Sequence, residues 1–205
     1  MYLSVERSNA VDFRGTDLRP VEALIVEAMK RLQVPGAAVG ILHEGKEYVA
    51  SFGVTSVDNP LSVTAETLFQ VGSITKTIVS TAVLCLAERG KLDLETPICT
   101  YLPDLRLADE NLTQRVTLRH LLTHTGGGIA DCFEDTGNGD DALAKVVAKM
   151  DELPQETPPG EIYSYSNSGF TLIGRVIKVA FQGRIRQAVH RDRPGTLHSV
   201  AGIAW

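Results

Sequence analysis

Leu18, Val21, Leu24, Ile25, Ala28, Met29 and Leu32 recur at helical spacing from Asp17 onward, with Val34-Pro35-Gly36 as a stop, so the chain opens on an amphipathic helix. Residues 37–42 and 47–54 are short β-like runs on either side of His43-Glu44-Gly45-Lys46, a hairpin that needs a sheet to join. After Ser73 the positions Ile74, Ile78, Ala82, Leu84, Cys85 and Leu86 leave little polar face before Glu88, Arg89 and the stop at Gly90. A helix apolar nearly all round is expected to be buried. A Pro-punctuated connection follows, then a short helix from Thr117 to Leu122 capped by Thr117, and a glycine loop at residues 123–131. Asp140 or Asp141 would cap a helix running to Met150, and a last helix starts after Asn167 or Ser168.

Composition narrows the classes. The 205 residues carry a net charge of -5 and are 43% hydrophobic, which suits one soluble globular domain, and no basic stripe interleaved with aromatics marks a nucleic-acid surface. Glu6, Arg7, Asp12 and Arg14 interrupt the first residues before a signal-peptide core or membrane span could form, so the chain as written is expected in the cytoplasm. Cys85, Cys99 and Cys132 are odd in number and lack metal-type spacing. Residues 183–205 change character: four arginines, one acid and no sustained period.

The candidate chemistry centres on Ser73 and Lys76. Positions i and i+3 share a helix face, so a serine at the mouth and a lysine one turn later stand within reach of each other. A serine hydroxyl is a poor nucleophile until a neighbour takes its proton, and a lysine can do so when its pKa is lowered, as the apolar Val71, Ile74, Ile78 and Val79 would favour. The helix mouth would add free N–H groups for an oxyanion. The plainer alternative is an N-cap serine with a surface lysine. Tyr165 and Asn167, in a polar loop before the last helix, add a phenol that can share a proton with Lys76 and a carboxamide that can hold substrate or orient the lysine. Here too the alternative is a packed tyrosine and an asparagine cap.

Other motifs are weaker. His124-Thr-Gly126-Gly127-Gly128 has no Gly-x-Ser-x-Gly elbow to serve and reads as a turn. His120 and His124 are four apart, but no glutamate between them and no third ligand supports a metal, so none is assigned. Asp135-Thr136-Gly137 occurs once where an acid pair would be required.

Taken together, Phe69-Gln-Val-Gly-Ser73-Ile-Thr-Lys76-Thr, Gly90-Lys-Leu-Asp-Leu, Tyr101-Leu-Pro, Val116-Thr-Leu-Arg-His120-Leu-Leu-Thr-His124-Thr, Pro159-Gly160 and Tyr165-Ser-Asn167-Ser-Gly-Phe resemble the β-lactamase-related serine hydrolases: class C β-lactamases, penicillin-binding-protein-like D-alanyl-D-alanine carboxypeptidases, D-aminopeptidases and esterases. The resemblance runs from about residue 18 to about residue 182. It implies an α+β fold, a helical region on an antiparallel sheet, with Ser73 as acylated nucleophile, Lys76 its proton acceptor, Tyr165 the partner base and Asn167 touching both Lys76 and substrate. The implied reaction is acyl transfer on a small amide or ester, a β-lactam, a D-amino-acid peptide or a carboxylic ester, without cofactor.

The pattern is not complete. Family members continue well beyond the Tyr-x-Asn loop to a Lys-Thr-Gly or His-x-Gly strand, and His198-Ser199-Val200 lacks the glycine and comes too soon. The expectation is therefore a partial domain over residues 1–182 with an incomplete sheet, and a divergent tail over 183–205, from C-terminal truncation by a frameshift or as a genuine capping segment. Without the later strands the 37–54 hairpin would present an edge open to self-association. Two other readings stay open: a remnant that binds or is slowly acylated without turnover, and a helical interaction protein with an accidental Ser-x-x-Lys.

Overall fold

The amphipathic stripe beginning at Leu18 folds as α1, Arg19–Leu32, in a computed structural model that describes residues 5–8 and 18–180. The chain divides between Phe69 and Gln70 into two compact units, and the arginine-rich tail read at 183–205 lies outside the described residues. In the first unit α1 turns its apolar face to a sheet: Met29, Ile25 and Val26 pack with Tyr48, Ala50 and Phe52. Its left-handed stop falls at Gln33, φ 55°, one residue before the predicted Val34-Pro35-Gly36.

The expected hairpin is β2, Gly36–His43, with β3, Lys46–Gly53, in register from Gly36 opposite Gly53 to His43 opposite Lys46. Glu44 and Gly45 both take positive φ, the two-residue turn whose twist matches that of the strands it joins. A further strand, β1 at Val5–Ser8, pairs antiparallel with β3 and gives the order β1-β3-β2. Four residues with two charges offer no alternating pattern, which is why the sequence did not reveal it. Among the described residues the far edge of β2 has no strand beside it.

The second unit is helical. Its elements are α2 (Ile74–Glu88), α3 (Ile98–Tyr101), α4 (Glu110–Arg115), α5 (Leu118–Leu122), α6 (Ala142–Val147) and α7 (Asn167–Ala180). The centre is α7, whose Phe170, Leu172, Ile173, Val176 and Ile177 are buried against Val83 and Leu86 of α2, Ile98, Leu118, Leu121 and Met150. Thr117 caps α5 as expected, through a reciprocal pair in which its hydroxyl accepts from the His120 N–H and His120 Nδ1 accepts from the Thr117 N–H. α3 and α4, each under two turns, lie within what read as connection; Asp109 caps the latter.

Two expectations fail. α2 is not enclosed: only Val83 and Leu86 are buried, while Ile74 and Leu84 stand 61% and 52% exposed, because the helical core packs on one side of it. An all-round apolar surface shows that a helix could be covered, not that it is. The helix expected to run to Met150 ends at Val147, and Asp141 engages Lys145 at 2.9 Å instead of capping.

Candidate active site

The approach to Ser73 is a run of tight turns. Ile74, Thr75 and Lys76 donate their N–H groups to the carbonyls of Val71, Gly72 and Ser73 at 3.2, 3.1 and 3.0 Å. The first-turn donors are thus engaged by backbone, contrary to the expectation that they stand free, whereas the Ser73 N–H has no acceptor among the described residues. Ser73 sits at the N-cap position with helical φ and ψ, and its hydroxyl caps nothing. The ordinary reading of the serine as a cap is excluded.

That hydroxyl has other partners. Tyr165 OH donates to Ser73 Oγ at 2.6 Å, and Lys76 Nζ donates to the same oxygen at 3.3 Å. Lys76 Nζ also donates to Asn167 Oδ1 at 2.6 Å and lies 4.8 Å from the centre of the Tyr165 ring. All four residues singled out in the sequence therefore meet in one cluster, although 92 positions separate Tyr165 from Ser73. The apolar cover expected around Lys76 is partial, since Val71 is 47% exposed and Ile74 more so.

The electrostatics favour a tyrosine that loses its proton readily. Hydrogen bonding with Lys76, then with Ser73, holds the Tyr165 phenol below its ordinary value of 10.0, with desolvation and the Asp131 charge opposing. The ring itself is held by His124, stacked on it at 4.5 Å and 28°. His124, φ 56°, accepts from the Ser166 N–H through Nδ1 at 3.2 Å and from the Ser164 N–H through its carbonyl at 2.8 Å. Burial, then the Lys76 charge, lowers its pKa from 6.5, which keeps Nδ1 available as an acceptor. His120 and His124 are thus each engaged in fixing a turn.

The Tyr165-Ser166-Asn167 segment owes its shape to the mouth of α7. The cap is Ser166, not Asn167: its Oγ accepts from the Gly169 N–H at 3.0 Å and donates to the Ile129 carbonyl at 3.0 Å. Asp131 Oδ1 accepts from the N–H of Asn167 at 2.6 Å and of Ser168 at 3.1 Å, and its Oδ2 accepts from Asn167 Nδ2 at 2.6 Å. The Asn167 side chain is consequently free of capping and reaches Lys76. The glycine loop is structural, as read: Gly127, φ 92°, gives its carbonyl to the N–H groups of Glu156 and Thr157 at 3.1 and 3.2 Å, and a Cβ there would lie 2.8 Å from the Thr157 carbonyl.

Asp131 and the supporting part of His124 were missed. A lone acid at the end of a glycine loop carries no local signal when its partners are 36 and 37 residues away.

Comparison with known proteins supplies a context for this arrangement. A protein-family model described as Beta-lactamase matches residues 21–192. Penicillin-binding protein 4 of Amycolatopsis lactamdurans is 36% identical over 160 residues, 78% of this chain and 42% of the relative. The structure of D-alanine carboxypeptidase AmpC from Burkholderia cenocepacia superposes with a TM-score of 0.68 and 32% identity, covering 86% of this chain and 47% of that one. An octameric penicillin-binding protein homologue from Pyrococcus abyssi gives 0.72 and 27%, covering 86% and 42%. The chain thus spans less than half the length of these relatives, and its α+β fold is of the β-lactamase and penicillin-binding-protein type.

Proposed function

The chain belongs to the beta-lactamase family, and from that premise we propose that it is a serine hydrolase acting on a small amide or ester through an acyl-enzyme on Ser73. The observation that carries this reading is the 2.6 Å contact between Tyr165 OH and Ser73 Oγ, with Lys76 bonded to the same oxygen. The ammonium of Lys76 favours the phenolate of Tyr165, which takes the Ser73 proton as Oγ attacks the carbonyl carbon. The tetrahedral oxyanion receives the Ser73 N–H. As the bond to the leaving nitrogen or oxygen breaks, the proton passes from Tyr165 to the leaving group. Water, deprotonated by the same phenolate, then attacks the acyl carbon, and Oγ recovers its proton.

Asn167 supports both partners: Oδ1 holds Lys76, one Nδ2 hydrogen goes to Asp131, and the second remains for a substrate carbonyl. β-Lactams and D-alanyl peptides are the substrate classes to try first, given the relatives named above, and simple carboxylic esters come next as acyl donors of the same reaction type.

The test is covalent labelling of the full chain with a fluorescent penicillin and a fluorophosphonate, followed by turnover of nitrophenyl acetate. The expected result is labelling that disappears in Ser73→Ala, with steady release of nitrophenol. Labelling that survives Ser73→Ala, or its absence from the wild-type chain, overturns the proposal. A stoichiometric burst without turnover would identify a chain that is acylated but does not hydrolyse.

A further inference from the structure

Asn167 lies between two groups that make opposite demands on it. Lys76 Nζ, 2.6 Å from Oδ1, can only donate; Asp131 Oδ2, 2.6 Å from Nδ2, accepts. A carboxamide has one accepting and one donating end of nearly equal size, so its shape does not fix which end faces the lysine. The partners do. With an ammonium on one side and a carboxylate on the other, only one of the two orientations avoids facing donor with donor and acceptor with acceptor.

Asp131 is itself unable to turn away. Its Oδ1 is held by the N–H groups of Asn167 and Ser168, and the loop on either side is laced to the same helix mouth: Ser166 Oγ donates to the Ile129 carbonyl and the Cys132 N–H donates to Ser168 Oγ, both at 3.0 Å. The carboxylate is therefore fixed relative to the residue it orients. Lys76, by contrast, is a long, half-buried side chain whose bond to Ser73 is 3.3 Å, against 2.6 Å to Asn167. Its head group is located mainly by the carboxamide, because the longer contact is the weaker one and four methylenes leave it many other places to be.

We propose that Asp131 is a positioning residue, which sets the orientation of the Asn167 carboxamide and through it holds Lys76 beside Ser73 and Tyr165. The chain Asp131, Asn167, Lys76, Ser73 runs from a loop, across the mouth of α7, to the mouth of α2. Each link is charge-assisted or polarised by a charged neighbour, so the bonds reinforce one another. The inference rests on the hydrolase reading, because what the alignment serves is the reactivity of Ser73.

Asp131 could instead matter only as a cap for α7, and Asp131→Asn separates the two roles. The new side chain keeps an oxygen for the two backbone N–H groups but turns an NH2 toward Asn167 Nδ2. The cap survives, and the carboxamide is driven to flip its NH2 toward the ammonium. The expected result is a melting temperature close to that of the wild type with a fluorophosphonate labelling rate constant about ten- to a hundredfold lower. Ser166→Ala is the control for a purely structural role, since it removes a cap of the same helix mouth without touching the carboxamide, and it should label within about threefold of the wild type although it melts earlier.

The two proposals fail in different ways. Asp131→Asn that folds and labels at the wild-type rate, or Ser166→Ala that slows labelling as much as Asp131→Asn does, overturns the positioning role and leaves the hydrolase standing. A wild-type chain that does not label overturns the hydrolase and this inference with it. If Asp131→Asn does not fold, Asp131→Ser decides: its hydroxyl keeps an acceptor for the cap but no carboxylate for Asn167, so labelling at least about tenfold slower supports the role and labelling at the wild-type rate refutes it.

Discussion

The two helix mouths that meet at the site are built in opposite ways. At the start of α2 the serine leaves its hydroxyl uncommitted to the backbone, while the tight turns before it satisfy the first N–H groups. At the start of α7 the serine and a carboxylate from another loop take the N–H groups of Asn167, Ser168 and Gly169, and the cap is buried. The first arrangement keeps a side chain available for chemistry, and the second keeps one still. A nucleophile needs the former; the residues that aim at it need the latter.

This contrast can be broken in several places. The largest effect should come from Tyr165→Phe, which keeps the ring on His124 and removes only the hydroxyl: labelling by a penicillin should fall by about 10²- to 10⁴-fold. In the wild type the rate should climb with pH through a value below 10.0, since the phenolate is the active form and its pKa is lowered, and this limb should vanish in the variant. A stopped-flow or gel-based rate profile checks both.

Next in size is the difference between two serines. Ser166→Ala removes a buried cap and a bond to the Ile129 carbonyl, and should lower unfolding free energy by about 1–2 kcal/mol. Ser73→Ala, at the mouth that lacks a side-chain cap, should change it by less than about 0.5 kcal/mol. Urea titrations of the two variants would contradict the comparison if their costs were equal.

The smallest effect concerns His124. Its folded pKa lies below 6.5, so as pH falls through 6.5 the unfolded chain takes up the proton first, and stability declines from there until the folded group also titrates. Above that window the contribution is complete. His124→Asn preserves a residue tolerant of positive φ and an acceptor for the Ser166 N–H, and should lose less melting temperature than the wild type between about pH 7.5 and about pH 5.5.

The legible parts of the molecule were those whose signal is local. The stripe at Leu18 to Leu32, the Glu44-Gly45 turn and the Thr117 cap each carry their instruction within a few residues, and the structure follows them. Ser73 and Lys76 share a helix turn, so their proximity was readable; the chemistry of a polar loop offered Tyr165 and Asn167 as partners, but only resemblance tied them to Ser73, because no periodicity spans 90 residues. The exposure of Ile74 was not legible, since covering a helix depends on what arrives from elsewhere. Asp131 was invisible for a related reason: its role is defined wholly by distant partners.

The triple clasp on the amides of residues 167 to 169 has a kinetic consequence. Helix ends ordinarily fray, and their protons exchange with solvent ahead of those in the middle. Here the first turn of α7 should open only with the surrounding fold, so its deuterium uptake should resemble that of the Ile173 region. A carboxamide anchored on so quiet a segment is already in place when a substrate arrives, and little ordering is left to be done at the moment of reaction.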